Sequence, residues 1–181
     1  MDSLEYTPFT EVYSNFLSKI TDDMYMELTP EDTYQILQEL LMSALPKFEF
    51  PRQSLEYGLK DTGKRGYNDQ PIYEMGFTSI LTLEEINILS SYMIVEWIGQ
   101  QLASVENVRM KYSGSDFKFT SQANHMQKLL QLKKDYEREG FHLQRLYKRR
   151  KTDENGVYRS TFGKIMSNQP RGGTGEWNKW L

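Results

Sequence analysis

The sequence predicts a mainly α-helical bundle with a β-hairpin-like insertion and an extended C-terminal arm. Three observations predict it. Apolar residues recur at spacings of three and four over most of residues 7–150, the period of helices with one buried face. Residues 46–81 break that period with Pro46, Pro51, Pro71, Gly58, Gly63, Gly66 and Gly76, residues that punctuate strands and turns. Residues 167–176 then gather Pro170, Gly172, Gly173 and Gly175, which reads as extended chain. The 181 residues divide on this reading into a bundle domain over 1–151, with its insertion at about 50–80, and an arm over 152–181.

The first helix is expected at Thr7-Pro8-Phe9, with Thr7 as cap and Pro8 in the first helical position. Phe9, Val12, Tyr13, Phe16, Leu17 and Ile20 supply its apolar face. Residues 22–28 allow a partial helical turn. A second start stands at Thr29-Pro30-Glu31-Asp32, a capping Thr with carboxylates in the first turn. Tyr34, Leu37, Leu40, Leu41, Ala44 and Leu45 form its stripe, and Pro46 stops it. In the insertion, Leu55-Glu56-Tyr57 and Ile72-Tyr73-Glu74-Met75 alternate as hairpin strands, with a tip near Asp61-Thr62-Gly63-Lys64.

Thr82-Leu83-Glu84-Glu85 matches a capping box, Thr at the cap and Glu three residues on. The helix it opens runs to about Ala103 or beyond. Leu83, Ile86, Leu89, Ser90, Met93, Ile94, Trp97 and Leu102, widened by Ile88, Tyr92 and Val95, make it apolar on most sides, so it belongs at the centre of the bundle or between the core and a neighbour. Ser113-Gly114-Ser115 interrupts the pattern. A long polar helix follows from about Thr120 to Arg150, touching the core through Ala123, Met126, Leu129, Leu130, Tyr136, Leu143 and Tyr147. Gly140 lies inside it and costs about 1 kcal/mol relative to Ala. Thr152–Gly156 reads as a turn. The chain closes on Trp177-Asn178-Lys179-Trp180-Leu181, and tryptophans there need burial, either on this chain or on another.

Composition narrows the chemistry. There are no cysteines, so disulfides, thiolate nucleophiles and Cys-bound zinc are excluded. Met1–Glu5 is acidic, where a secretory signal starts basic. The longest apolar stretch, residues 86–102, is interrupted by Asn87, Ser90, Ser91, Glu96 and Gly99, so no membrane span is expected. Residues 1–50 hold two Lys against ten Asp and Glu, and residues 51–181 hold twenty Lys and Arg against fifteen Asp and Glu. A chain acidic in one part and basic in the other suits head-to-tail contact between identical copies, although incidental surface charge accounts for the same asymmetry.

No pattern carries catalysis, and the chain is read as a non-enzyme with no cofactor and no metal. Gly58-Leu59-Lys60-Asp61-Thr62-Gly63-Lys64-Arg65 nearly matches a phosphate-binding loop. That loop needs Ser or Thr after its Lys, to hold Mg²⁺, and a helix beginning there. Arg65 occupies the hydroxyl position and Gly66, Tyr67 and Pro71 follow, so a hairpin is the better reading. His125 and His142 stand about five turns apart on one helix and cannot share a metal within one chain; His125 is expected partly buried. Glu84/Glu85 and Asp22/Asp23 sit at helix starts, where they complement the dipole. No Gly-x-Ser-x-Gly elbow occurs. Arg145, Lys148, Arg149, Arg150 and Lys151 form a basic cluster around Tyr147. It is read as a contact for DNA phosphates or an acidic partner, or as a solvated helix end.

The order and spacing of these segments resemble the small helical head–tail connector (adaptor or neck) proteins of tailed bacteriophages. The residues that carry the resemblance are Tyr13–Ile20, Leu40–Ala44, Phe77–Glu85 leading into Met93–Ile98, and Ser115–Phe117 with Ser121–Met126, within roughly residues 7–150. The resemblance implies a structural virion protein, assembled in the host bacterial cytoplasm. It implies a homo-oligomeric ring in the neck, commonly of twelve copies, between the portal protein and downstream neck or tail components. DNA would pass through the lumen with non-specific contact at Arg145, Lys148, Arg149, Arg150 and Lys151, and no membrane would be involved. The arm, with Phe162, Ile165, Trp177, Trp180 and Leu181, would reach the portal or a neighbouring subunit. The hairpin, with Lys60, Lys64, Arg65 and Tyr67, would touch the next component. The competing expectation is a phage DNA-packaging or DNA-binding accessory protein that uses the basic cluster.

Overall fold

The structure, a computed structural model, describes residues 6–20, 28–111, 119–152 and 158–160. Among these the chain is mainly helical: α1 (Phe9–Leu17), α2 (Pro30–Ala44), α3 (Leu83–Lys111) and α4 (Phe119–Arg149). Strands β1 (Thr7–Pro8), β2 (Tyr57–Arg65) and β3 (Pro71–Phe77) form an antiparallel sheet in the order β1-β3-β2. β4 (Arg150–Thr152) pairs antiparallel with β5 (Tyr158–Ser160). The chain forms two compact units, Met1–Gln144 and Arg145–Leu181. In the second, the last turn of α4 leads straight into the β4–β5 pair.

In the first unit α1 and α2 both pack on α3, the central place its sequence predicts. Phe9, Val12, Tyr13 and Phe16 of α1, and Leu37, Leu40, Leu41 and Ala44 of α2, are buried against Ile86, Ile88, Leu89, Met93, Ile94, Val95 and Ile98 of α3 or beside them. Each large aliphatic or aromatic side chain so buried contributes about 1.5–3 kcal/mol. Leu83, placed by its spacing on the apolar stripe, is instead 84% exposed at the first turn.

The helix starts are set by side chains. Thr29 accepts the Asp32 N–H at 3.2 Å and Pro30 follows it, as predicted. At α3, Thr82 Oγ1 accepts the Glu85 N–H at 3.3 Å, while Glu85 Oε2 accepts the Thr82 N–H at 2.8 Å. Glu85 is fully buried, and its other oxygen accepts the N–H groups of Arg52 and Gln53, each at 3.1 Å. Thr7 departs from its expected role. It lies in β1, paired with Phe77, and Pro8 precedes the helix with no side-chain cap. The buried Thr7 hydroxyl accepts the Leu81 N–H at 2.7 Å, so it secures the approach to α3 rather than the start of α1.

Gly140 lies in uninterrupted helix because of what faces it. A Cβ at this position would stand 3.1 Å from two ring atoms of Tyr92. Tyr92 also receives a hydrogen bond from Gln144 Nε2. Gln144, 2% exposed, donates from Nε2 to Lys47 O at 2.7 Å and accepts the Glu49 N–H at 2.9 Å. One glutamine thus joins α4, α3 and the segment after α2. Among residues 124–150 the buried positions are Gly140, Gln144 and Tyr147; His125, expected partly buried, is exposed.

Gly140→Ala is expected to destabilise the wild-type protein by about 1 kcal/mol, because crowding of the Tyr92 ring outweighs the gain in helix propensity. In a Tyr92→Ala background the same change is expected to stabilise by about 0.5–1 kcal/mol. Urea denaturation of the four proteins measures both signs. Glu85→Ala, which strips the cap and leaves the Arg52 and Gln53 N–H groups without their acceptor, is expected to cost about 3 kcal/mol in the same assay.

Candidate functional site

The β2–β3 hairpin is anchored at its base and bare at its end. At the base, Tyr57 pairs with Phe77, and both rings pack on Phe9, at centroid distances of 5.7 and 4.8 Å. On the opposite face Tyr6 lies over Gly76, where a Cβ would come within 2.8 Å of the Tyr6 ring and 2.9 Å of Thr7 O. No other residue admits β1 at that distance. Tyr6 Oη donates to Glu74 Oε1 at 2.7 Å. Burial and this bond push the Tyr6 phenol up to about 12. Burial raises the Tyr34 phenol on α2 above its ordinary value, opposed by the Met75 backbone.

Beyond the base neither face is covered. Leu59 is 69% exposed, Tyr73 57% and Tyr67 93%, and Ile72 is also exposed. Large apolar side chains gathered on a projecting element mark a contact surface. The tip is not where its turn chemistry predicts. Asp61 pairs with Tyr73 and Arg65 with Pro71, so three residues of β2 stand opposite Ile72 alone, as a bulge. Asp61 Oδ1 accepts the Gly63 N–H at 2.9 Å, and Thr62 Oγ1 accepts the Lys64 N–H at 3.2 Å while donating to Ile72 O at 2.8 Å. The Gly63 N–H, and Arg65 beside it, hold the Asp61 carboxyl below its usual range. The turn itself is Gly66–Gln70, closed by Gly66 N–H to Gln70 O at 2.8 Å, with Asn68 and Asp69 left-handed at φ 64° and 59°. The near-match to a phosphate loop, Gly58–Arg65, is therefore strand.

Of the predicted hairpin contacts, Lys64, Arg65 and Tyr67 are exposed and Lys60 is half-buried. Arg65 pairs with Asp61 at 3.3 Å. Arg145, Lys148 and Arg149 are exposed on the last turns of α4, and Arg150 is exposed at the start of β4. Lys151 lies in β4. The basic run thus spans the end of α4, which closes at Arg149 where about Arg150 was expected, and the start of β4. Phe162, Ile165, Trp177, Trp180 and Leu181 lie outside the described residues, as do the segments expected as a partial turn before Leu28 and as breaks around Ser113–Ser115 and Asp153–Gly156.

Sequence reasoning missed a polar cluster under α1. Lys19 Nζ donates to Asn87 Oδ1 and Ser90 Oγ, both at 2.7 Å, with Asn87 O and Ser91 Oγ at 3.3 Å. Ser90 Oγ donates to Asn15 Oδ1 at 2.6 Å. A lysine beside a serine is the geometry of a base and its nucleophile. Here Ser90 is fully buried and its proton is held by Asn15, so the cluster fastens α1 to α3. Its one sequence signal is that Lys19 is the sole cation before Lys47.

Two open grooves flank α1. One, of about 480 Å³, is lined by Thr10, Glu11, Ser14, Asn15, Leu83 and Ile86. The other, of about 400 Å³, lies between α1 and α2 and includes Tyr13, Leu17, Leu28, Pro30, Tyr34 and Leu37. Among the described residues no group of three or more His, Asp or Glu is placed to hold a metal, and no helix is long and apolar enough to cross a membrane. In comparisons with known proteins, no family model, no curated protein and no solved structure matches the chain.

Burial lowers the Lys19 ammonium below its ordinary 10.5, opposed by the charge of Glu139. Between that lowered value and 10.5 the unfolded chain holds a proton that the folded chain has released, so this group adds stability as pH rises through the window. Denaturant midpoints of the wild type are therefore expected to rise relative to those of Lys19→Met across that window. Parallel pH profiles of the two proteins would show that Lys19 ionises as it does in water.

Proposed function

We propose that the chain is a structural virion subunit of a tailed bacteriophage. On this reading it forms a homo-oligomeric ring at the head–tail junction, joins the portal to tail components and surrounds the DNA channel. The observation that carries the reading is the hairpin: a helical bundle with a complete core of its own presents Leu59, Tyr67, Ile72 and Tyr73 to solvent on a fixed projection. Such a surface is built for protein contact, not for turnover of a small molecule. The order of segments that resembles the connector proteins supports the same assignment, with the arm and its Trp177 and Trp180 reaching the portal or a neighbour. The ring is placed in the virion neck and is assembled in the bacterial cytoplasm.

A second reading, a DNA-packaging or DNA-binding accessory protein, is favoured by the exposed cations at the end of α4, Arg145, Lys148 and Arg149, with Arg150 beyond them. Phosphate contacts make affinity fall steeply with salt. In a ring subunit such contacts are spread over many copies, so a single chain binds DNA weakly.

Mass photometry separates the two. The purified protein mixed with isolated portal is expected to join it in a fixed multiple, and to lose that binding when residues 167–181 are deleted. A protein that ignores the portal yet shifts onto duplex DNA with strong salt dependence belongs to the second reading.

A further inference from the structure

Positive charge in this chain is gathered on one helix. α4 holds seven of the 22 Lys and Arg and only three of the 25 Asp and Glu. It is cationic in a chain whose net charge is −3. Helical geometry then divides its residues between two faces. Gly140 and Gln144 are buried against Tyr92 of α3, with Lys133, Tyr136 and Leu143 half-buried along the same side. On the opposite side Lys134, Arg138, His142, Arg145 and Arg149 recur at spacings of three and four, with Lys148 at the edge, and all six are exposed. At 1.5 Å per residue they run along about 22 Å of helix.

The carboxylates of α4 do not neutralise this outer face. Glu137 lies 4.0 Å from Lys133, and the charge of Glu139 acts on Lys19, just after α1. Asp135 alone reaches the face, where it accepts from Gln131 at 3.0 and 3.1 Å and pairs with Arg138 at 3.5 Å. Beyond the helix the same sign continues: Arg150 opens β4, and the strand register sets Lys151 opposite Arg159.

An acidic protein surface and a nucleic acid backbone both suit a cationic helix face, and the composition of this one favours the second. A protein interface is built round an apolar core from which charge is depleted. Here the one apolar side chain on the face between Lys134 and Arg149 is Phe141, 50% exposed, and it stands among five Lys and Arg. Phosphate contacts need no such core, because Lys and Arg supply them directly. The acidic remainder of the chain repels a phosphate backbone, which confines it to this helix.

We infer that the outer face of α4 is a track for the phosphate backbone of duplex DNA, held along the helix from Lys134 to Arg149 without reading base sequence. The track begins about three turns before Arg145, so Lys134 and Arg138 distinguish it from a contact made by the end of the helix alone. The inference rests on the neck reading for its setting and gives the wall of the DNA channel to α4.

Fluorescence anisotropy with the full chain and a duplex of arbitrary sequence tests the track. The salt series starts at low ionic strength, where the weak affinity of a single chain is measurable. The logarithm of affinity falls with the logarithm of salt concentration by about 0.9 per phosphate contacted. Lys134→Gln with Arg138→Gln is expected to reduce that slope by about two and to weaken binding to every duplex alike. Lys60→Gln with Lys64→Gln, an equal loss of charge on the hairpin, should leave the slope unchanged. Four results overturn the inference: no binding of duplex by the wild type, a slope untouched by the α4 pair, a slope reduced as much by the hairpin pair, or equal binding of polyglutamate, which makes the face a contact for an acidic protein. Mass photometry of the same proteins with portal separates the track from the ring. An unchanged slope in a chain that joins portal removes the track and leaves the ring. A slope reduced by about two in a chain that never joins portal keeps the track and removes the ring.

Discussion

The buried carboxylate of Glu85 is the constraint on which the first unit depends. Its two oxygens receive the backbone N–H groups of Thr82, Arg52 and Gln53, together with the Thr82 hydroxyl at 3.0 Å. A carboxylate removed from water is tolerated only with such partners, and the N-terminus of α3 adds a favourable field. The arrangement does more than start a helix. Arg52 and Gln53 lie shortly before β2, so the same side chain that fixes the origin of the central helix also fixes where the hairpin leaves the bundle. The Thr7 hydroxyl on the Leu81 N–H draws β1 to the same place. The hairpin is therefore a projection with a defined root, which a contact surface requires if it is to present its side chains in one orientation.

The parts of this fold that were legible in the sequence are those whose causes are local. The Thr29 cap and the box at Thr82 and Glu85 each satisfy helix-end N–H groups within four residues, and the stripes on α1 and α2 follow from helical geometry alone. The fold class was legible for the same reason. Two of the errors come from distant partners, and one from chemistry that a turn and a bulge share. Thr7-Pro8 is as good an entry to a helix as any, but the partner of the Thr7 hydroxyl lies 74 residues further on. Asp61, Thr62 and Gly63 make the side-chain-to-backbone bonds of a turn and make them inside a strand, because a bulge and a turn draw on the same chemistry. Gly140 reads as a weakness of α4 until Tyr92, on another helix, is seen to need the space.

The candidate surfaces were legible as residue types and illegible as places. Lys64, Arg65 and Tyr67 could be singled out because cations and an aromatic in a Gly- and Pro-rich insertion have no helix face to occupy. The groove between α1 and α2 could not be found, because its walls are divided between two helices. The Lys19 cluster was hidden in the same way: Asn15 and Lys19 lie on one segment, Asn87, Ser90 and Ser91 on another, and nothing in either shows that they meet.

The bulge in β2 has a consequence for solubility. β2 is an outer strand of the sheet, and a long regular outer strand offers unpaired N–H and C=O groups to any other extended chain. Two surplus residues between Asp61 and Arg65 break that row, and the charges of Lys60, Lys64 and Arg65 stand along it. Indiscriminate strand-to-strand stacking is blocked at the backbone. Whatever meets this hairpin must therefore recognise its side chains.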